Sequence, residues 1–368
     1  MVDTLQDWIR SIEIHDDVAR AWTLPSRFYF DPTVCDCETQ RIFRKEWQVV
    51  AHRSQLTNPG DYVTLEVAGE SLLLVCDADD RVRGFYNICR HRAGPPATGC
   101  GSRRVFRCGY HGWTYALDGK LVSAPEVEGV QDFNSNEFSL VPVGVGEWGR
   151  FIFVNLTSGA RALGEMLGPL SNQLRMPASP MRMVERRTYE MQCNWKTYID
   201  NYLEGYHLPS VHPGLNRELE YNSYIVEPHS NYVRQHSPIK AQVGDGEGRR
   251  YRDVGTESGA EYYWIFPNWM INIYPDNLSL NIVLPLGSER SRAIFEWYLP
   301  ETEIHSQAAK ASVEFSHQIQ VEDVAICERV QRNLASSSYD RGRYSRKQEQ
   351  GVHAFHRMYL KTMQDKRG

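Results

Sequence analysis

Cys89-Arg-His91 and Cys108-Gly-Tyr-His111, separated by residues 92–107, decide the reading of this chain. Each pair offers one thiolate and one imidazole, and a mixed set of this kind calls for a metal. A two-iron, two-sulfide cluster accepts both thiolates on one iron and both neutral imidazoles on the other, which raises its potential above that of an all-cysteine ferredoxin. Zinc is the alternative, since Cys₂His₂ is also a common zinc ligand set. Zinc fingers, however, pair Cys with Cys and His with His, whereas here each pair mixes the two. Gly109, Tyr110, Gly112 and Trp113 surround the second pair with small and aromatic residues, as a water-poor cluster requires.

Working outward, 368 residues suggest two domains. A hydrophobic fraction of 41% and a charged fraction of 24% are those of a globular chain. No run approaches eighteen apolar residues, so no membrane span is expected. The start, Met1-Val-Asp-Thr-Leu-Gln-Asp-Trp8, lacks the basic-then-apolar layout of a signal peptide. A net charge of −5 leaves no basic footprint for nucleic acid. Cys35, Cys37, Cys76, Cys100, Cys193 and Cys327 follow no disulfide rhythm, and Cys35-x-Cys37 is too tight to bridge easily. A reducing, cytoplasmic setting is expected.

Residues 1–45 read as an N-terminal helical arm anchored by Phe43 and Trp47. From Gly60 short strands follow: the alternating Tyr62–Val67, the apolar Ser71–Val75, Val82–Ile88, Val105–Phe106, Trp113–Tyr115 and Phe151–Val154. They predict a small antiparallel β-sandwich over residues 46–158 that carries the metal pairs on two loops. The remainder, 159–368, predicts strands at Met183–Tyr189, Tyr262–Phe266, Trp269–Tyr274, Ser279–Leu284 and Ala293–Leu299. Helices are expected at Asn194–Leu208, from about Thr302 to Leu334, and in a short tail. The polar, Gly-rich stretch Gln242–Gly259 reads as a mobile loop. The fold class is α+β, an antiparallel sheet with helices on one side.

A second metal site is encoded downstream. In the predicted Asn194–Leu208 helix, Trp195, Tyr198, Ile199, Tyr202, Leu203 and Tyr206 mark a buried face. Glu204 and His207, three apart, project to one side, and Pro209 is expected to end the helix and swing His212 back toward His207. Two imidazoles and one carboxylate make the facial triad of non-haem iron, with open positions for oxygen. On the long helix, Phe315, Ile319, Glu322, Asp323, Ile326, Cys327 and Val330 share a face, and Asp323, between Ile319 and Ile326, is the better inward candidate than Glu322. A buried salt bridge of Asp323 to an arginine, and histidines that are merely satisfied core residues, are the bland alternatives.

Together these residues resemble the oxygenase (alpha) subunits of Rieske non-haem iron oxygenases over essentially the whole chain. Cys89-x-His91 with Cys108-x-x-His111 matches the cluster motif, Asn194-Trp-Lys with Glu204-x-x-His207-x₄-His212 the catalytic-domain motif, and Asp323 in Glu-Asp-Val the third ligand. The resemblance implies a [2Fe-2S] Rieske domain followed by a helix-grip-like catalytic domain holding mononuclear Fe(II). It also implies that Glu204 links His207 to His91 or His111 of the next protomer in a homotrimer. Phe266-Pro-Asn-Trp-Met-Ile-Asn272, Leu284-Pro-Leu-Gly287 and Glu322–Gln331 look most like the choline monooxygenase, glycine betaine and carnitine oxygenase group.

The chain has neither a Gly-x-Gly-x-x-Gly fingerprint after a strand nor a Cys-x₄-Cys-x₂-Cys run, so a separate NAD(P)H-dependent flavin/iron–sulfur reductase is implied. The expected substrate is a small quaternary ammonium compound, of choline, betaine or carnitine type, oxidised with O₂. Such a cation needs aromatic faces. Tyr202, Tyr206, Tyr263, Trp264, Phe266, Trp269, Tyr274, Phe295 and Trp297 are the candidates, of which two or three are expected to line the pocket. The rival reading is hydroxylation of an aromatic or other apolar small molecule in the same pocket.

Overall fold

The computed structural model describes residues 4–174, 181–240, 259–275 and 277–365, so residues 242–258 of the expected loop lie outside the described residues. The chain forms two compact units, one of Thr39–Ser171 and one of Met1–Glu38 with Asn172–Gly368. These divisions fall after Glu38 and Ser171, where the sequence suggested 45 and 158. Phe43 and Trp47 are accordingly buried in the first unit, where the Trp47 indole donates to Arg161 O at 2.8 Å. Residues up to Glu38 belong to the second unit, where the Trp195 indole donates to Glu38 at 2.8 Å.

The Thr39–Ser171 unit contains three small antiparallel sheets. One runs Val82–Tyr86, Glu70–Cys76, Asp61–Val67, Cys100–Ser102; a second runs Gln48–His52, Phe151–Asn155, Gly144–Trp148; the third pairs Phe106–Arg107, Thr114–Tyr115 and Leu121–Ser123. The Glu70–Cys76 strand is apolar on both faces because both are covered. Leu72, Leu74 and Cys76 pack with Ile152 and Val154, while Leu73 and Val75 pack with Phe85, Phe106, Trp113 and Tyr115. Each leucine so buried contributes about 2 kcal/mol. The second of these cores also takes in Cys89 and Cys108, which ties the metal loops to the sandwich.

The other unit is built on a seven-stranded antiparallel sheet, in the order Met181–Met191, Ser291–Pro300, Leu278–Pro285, Trp269–Ile273, Gly259–Ile265, Tyr232–Pro238, Ile225–Pro228. The last two strands were not anticipated. The 28-residue helix Gln307–Leu334 runs against this sheet, with the Trp297 indole donating to Ser316 Oγ at 3.0 Å and Asn277 to Ser312 at 3.2 Å. It starts five residues later than expected because Ser306 is its N-cap, accepting from Ala309 N at 3.0 Å. Helix Trp195–Tyr202 packs on it, capped by Asn194, whose own N–H donates to Gln331 at 2.9 Å.

Beneath this helix a buried charge is neutralised. Lys196 is fully buried and ion-paired with Glu38, which is 1% exposed and also accepts from Tyr359 Oη at 2.6 Å. Among the described residues no helix is long and apolar enough to cross a membrane.

Candidate metal centres and substrate cavity

The expected continuous helix Asn194–Leu208 is broken. It ends at Tyr202, and a new short helix spans Leu208–Val211. Glu204 and His207 therefore meet through a turn rather than on one helix face. The Glu204 carboxylate accepts the backbone N–H of Tyr206 and, at 3.1 Å, that of His207, which starts the new helix much as a capping residue would. Gly205 suits this turn, since a Cβ there would press on the Tyr224 ring at 3.1 Å. Pro209 opens the second helix, where its missing N–H costs nothing, instead of closing the first. Tyr206 consequently turns outward and is 57% exposed rather than buried.

This turn sets two imidazoles against the long helix. His207 Nδ1 is 2.7 Å from Glu204 Oε1, and His212 Nδ1 is 2.7 Å from Glu322 Oε2. Both rings thereby direct Nε2 at one atom, Asp323 Oδ1, which lies 2.8 Å from His212 and 3.6 Å from His207. One ligand atom from each of His207, His212 and Asp323 falls within 4.8 Å of the other two. The ion-pair partners of Asp323 among the described residues are these histidines, not an arginine. Burial pulls the His212 imidazole down, but Asp323 and Glu322 outweigh it and raise the ring above its ordinary range.

Such a site suits a divalent metal: two imidazoles with Nδ1 already held by carboxylates, Nε2 free to ligate, and a third oxygen ligand opposite. Glu322, passed over in favour of Asp323, thus has a part of its own as the partner of His212. Only its neighbour's candidacy could have signalled this, because the two residues flank one edge of the helix. The stripe also ends early, since Val330 is 43% exposed.

The cluster pairs sit on two similar turns. Cys89 N donates to Gly94 O at 2.8 Å and Ala93 N to Cys89 O at 3.0 Å; Cys108 N donates to Trp113 O at 2.8 Å and Gly112 N to Cys108 O at 3.0 Å. Both cysteines are 3% exposed, while His91 and His111 reach the surface of the unit with ring centroids 4.6 Å apart. Trp113 stacks on His91 at 5.0 Å, and Tyr110 stacks on His111 at 3.7 Å. The loops approach closely at Gly94, where a Cβ would lie 2.9 Å from Cys108 Sγ.

Buried thiols beneath paired surface imidazoles fit a cluster whose inner iron takes sulfur and whose outer iron takes nitrogen. Tyr115, which sequence reading treated only as a strand residue, accepts from Arg90 N at 2.9 Å and sits 3.1 Å from Cys89 Sγ. Burial and Cys89 push its phenol well above its usual range, which leaves its O–H to donate to the sulfur.

A half-open cavity with a water-accessible volume of about 90 Å³ lies at the three metal-ligand candidates, with Glu204, His207, His212 and Asp323 on its wall. Of the nine aromatic candidates, Tyr202, Tyr274 and Phe295 line it. Tyr198, Tyr224 and Tyr262 were missed, and Trp264, Trp269 and Trp297 are instead core residues. Tyr262 rather than Tyr263 faces the cavity because strand side chains alternate. Burial holds the phenols of Tyr198, Tyr202 and Tyr224 well above their usual range, so all are neutral.

Residues 46–134 match the Rieske [2Fe-2S] domain, and residues 179–365 match the ring hydroxylating alpha subunit (catalytic domain). The chain is 36% identical over 352 residues to the chloroplastic choline monooxygenase of Arabidopsis thaliana, covering 92% of this chain and 82% of that protein. It is 32% identical over 360 residues to the carnitine monooxygenase oxygenase subunit of Escherichia coli K12, covering 94% and 95%. A solved quaternary ammonium Rieske monooxygenase superposes with a TM-score of 0.86 at 28% identity, over 96% of this chain and all of that one. The naphthalene 1,2-dioxygenase of a Rhodococcus species, at 19% identity and a TM-score of 0.79 over 94% and 95% of the two chains, shares the fold.

Proposed function

The chain belongs to the Rieske-type ring-hydroxylating oxygenase alpha subunits, oxidoreductases with a Rieske [2Fe-2S] cluster and a mononuclear iron, and on that premise we propose that it is the oxygenase component of a monooxygenase acting on a small quaternary ammonium compound. The observation that carries this reading is the position of His207, His212 and Asp323 at the edge of a cavity walled by tyrosine and phenylalanine rings. A trimethylammonium group donates no hydrogen bond and is held by aromatic faces and nearby negative charge. The cavity wall has both, the charge coming from Glu204 and Asp323. The relatives act on choline and on carnitine, which points the same way.

When bound, the cluster supplies electrons singly and the iron the place where O₂ is reduced, one oxygen atom going to a substrate C–H bond and the other to water with two electrons and two protons. In this reading His207, His212 and Asp323 hold the iron, and Cys89, His91, Cys108 and His111 hold the cluster. Glu204 and Glu322 are positioning residues that fix the two imidazoles through Nδ1. Glu204 also faces the cluster histidines of the next subunit in a homotrimer, and a separate NAD(P)H-dependent reductase supplies the electrons. Buried Tyr198, Tyr202 and Tyr224 remain neutral themselves, add no further charge to the cavity wall and limit water near the reacting carbon. A cytoplasmic location accompanies this reading.

The test is oxygen uptake by the metal-loaded protein with a compatible reductase, across methylated amines and arenes, with formaldehyde and aldehyde products assayed. Uptake coupled to a quaternary ammonium compound is expected. Uptake with arenes and with none of the ammonium compounds would favour the rival reading.

A further inference from the structure

Helix Trp195–Tyr202 ends immediately before the turn that presents Glu204 and His207, and its last turn is held by a polar network. Asp200 Oδ2 accepts from Tyr29 Oη at 2.7 Å, and Asp200 Oδ1 lies 2.8 Å from His356 Nε2. Tyr29 Oη is itself 3.0 Å from that nitrogen, and His356 Nδ1 is 2.7 Å from Tyr344 Oη. His356 is fully buried, and Tyr29 and Tyr344 nearly so. The four side chains come from the N-terminal segment, helix Trp195–Tyr202, the connection 335–349 and helix Gln350–Gln364.

Elimination fixes the donors and acceptors. The Tyr29 proton is committed to Asp200, so two acceptors, Asp200 Oδ1 and Tyr29 Oη, face His356 Nε2, which must carry its hydrogen. Nδ1 is left to accept from Tyr344 O–H. Both ring nitrogens and both hydroxyls are then satisfied, and a buried network completed in this way holds its members in one arrangement. Tyr29 extends the link, because its carbonyl accepts from Gln331 Nε2 at 3.0 Å on the helix that bears Asp323.

The turn itself is gripped as well. Gly351, at the start of helix Gln350–Gln364, packs so closely that a Cβ there would run into the Leu203 carbonyl oxygen. The Leu203 N–H in turn donates to Asp200 O at 3.3 Å. Glu349, just before the same helix, has Glu204 and Asp200 as electrostatic neighbours. Burial raises its carboxyl above the ordinary range, the Ser345 N–H opposes this, and the two acids add to it.

We propose that Asp200 and His356 are positioning residues for the mononuclear iron. With Tyr29 and Tyr344 they hold the end of helix Trp195–Tyr202 and so fix where Glu204 and His207 stand. The proposal rests on His207, His212 and Asp323 being the iron ligands, and not on the identity of the substrate. None of the four network residues lines the cavity, so they act through the turn. Such support matters because a looseness of roughly 1 Å is enough to spoil a metal site.

The experiment titrates Fe(II) into protein stripped of its mononuclear iron by a chelator, and records the EPR spectrum of the nitrosyl adduct after reloading. The visible absorbance of the cluster confirms an intact chain. Tyr29→Phe and Tyr344→Phe each remove one oxygen and keep the ring, and each is expected to weaken Fe(II) binding about threefold. Asp200→Leu and His356→Leu are expected to weaken it roughly tenfold and to alter the nitrosyl spectrum. Asp200→Asn, which still accepts from Tyr29, should recover part of the loss. Leu360→Ala is the stability control, since Leu360 is buried on the same helix where it lines a groove with Ile12 and Ile14. It should lower the unfolding temperature and leave Fe(II) affinity unchanged. The phenylalanine variants keep the test decisive where a leucine variant misfolds. Wild-type affinity in both of them, or an equal loss in Leu360→Ala, would overturn the positioning role and leave the iron site standing. Fe(II) binding by Asp323→Ala as tight as wild type would remove the iron-site assignment and the proposal with it.

Discussion

Nε2 of His212 lies 2.8 Å from Oδ1 of Asp323, although 111 residues separate them in sequence. The contact ties the turn after helix Trp195–Tyr202 to the middle of helix Gln307–Leu334, and His207 Nε2 converges on the same oxygen at 3.6 Å.

Removing that oxygen should empty one metal site only. Asp323→Ala is expected to lose the mononuclear iron and all turnover while keeping the visible absorbance of the cluster, whose proposed ligands belong to the Thr39–Ser171 unit. Iron analysis beside a visible spectrum reads this directly. A full iron complement in the variant would mean that Asp323 is no ligand.

Glu322 should matter nearly as much as a ligand. Its carboxylate holds His212 Nδ1 at 2.7 Å, and partners that orient a metal-bound imidazole are typically worth 10–100-fold in metal affinity or activity. Glu322→Ala is expected to weaken Fe(II) binding within that range, measured by titration of the metal-free protein. Binding as tight as wild type would assign Glu322 to the helix surface alone.

Glu204 poses a different question because it lies on the turn and also touches His207. Glu204→Gln keeps a group able to accept from the Tyr206 and His207 N–H groups, so both metals should be retained. Substrate oxidation should nevertheless fall steeply, with the cluster still reducible by dithionite. Unchanged turnover would sink the bridging role.

Tyr115 should tune the cluster. Its O–H lies 3.1 Å from Cys89 Sγ, and a hydrogen bond to a ligating sulfur stabilises the more negative, reduced cluster. Tyr115→Phe is therefore expected to lower the reduction potential, by about 60 mV for each tenfold loss of that stabilisation. Redox titration followed by visible or EPR spectra checks the sign, and a potential that does not move or rises would exclude the bond.

Lys196 and Glu38 should dominate stability near the N-terminus. Both are buried, and removing one member of a buried ion pair costs about 3–5 kcal/mol because the other charge is left unpaired. Lys196→Met is expected to lose about that much in urea unfolding of the metal-loaded protein. The double variant Lys196→Met with Glu38→Leu should recover much of the loss, and an equal loss in the double variant would deny the pairing.

The candidate metal-ligand residues were legible because their signals are local. Cys89-x-His91, Cys108-x-x-His111 and Glu204-x-x-His207-x₄-His212 lie within short stretches, where chain connectivity alone keeps the ligands together. Strand alternation and the apolar runs around Leu72–Val75 likewise marked most of the β structure. The break at Leu203–His207 escaped notice because helical periodicity continues through it. What interrupts the helix is a side-chain carboxylate capturing backbone N–H groups, and periodicity does not carry that information.

By itself, then, the sequence determined the α+β class and singled out two candidate ligand sets in their order, because residue type and short spacing suffice for each. Tertiary structure alone decided that Glu322 partners His212, that Tyr262 rather than Tyr263 faces the cavity, and that Asn281 and Gln320 line it. Those outcomes depend on strand register and on which helix face meets the sheet. Both are set by contacts between residues far apart in the chain, so no local pattern records them.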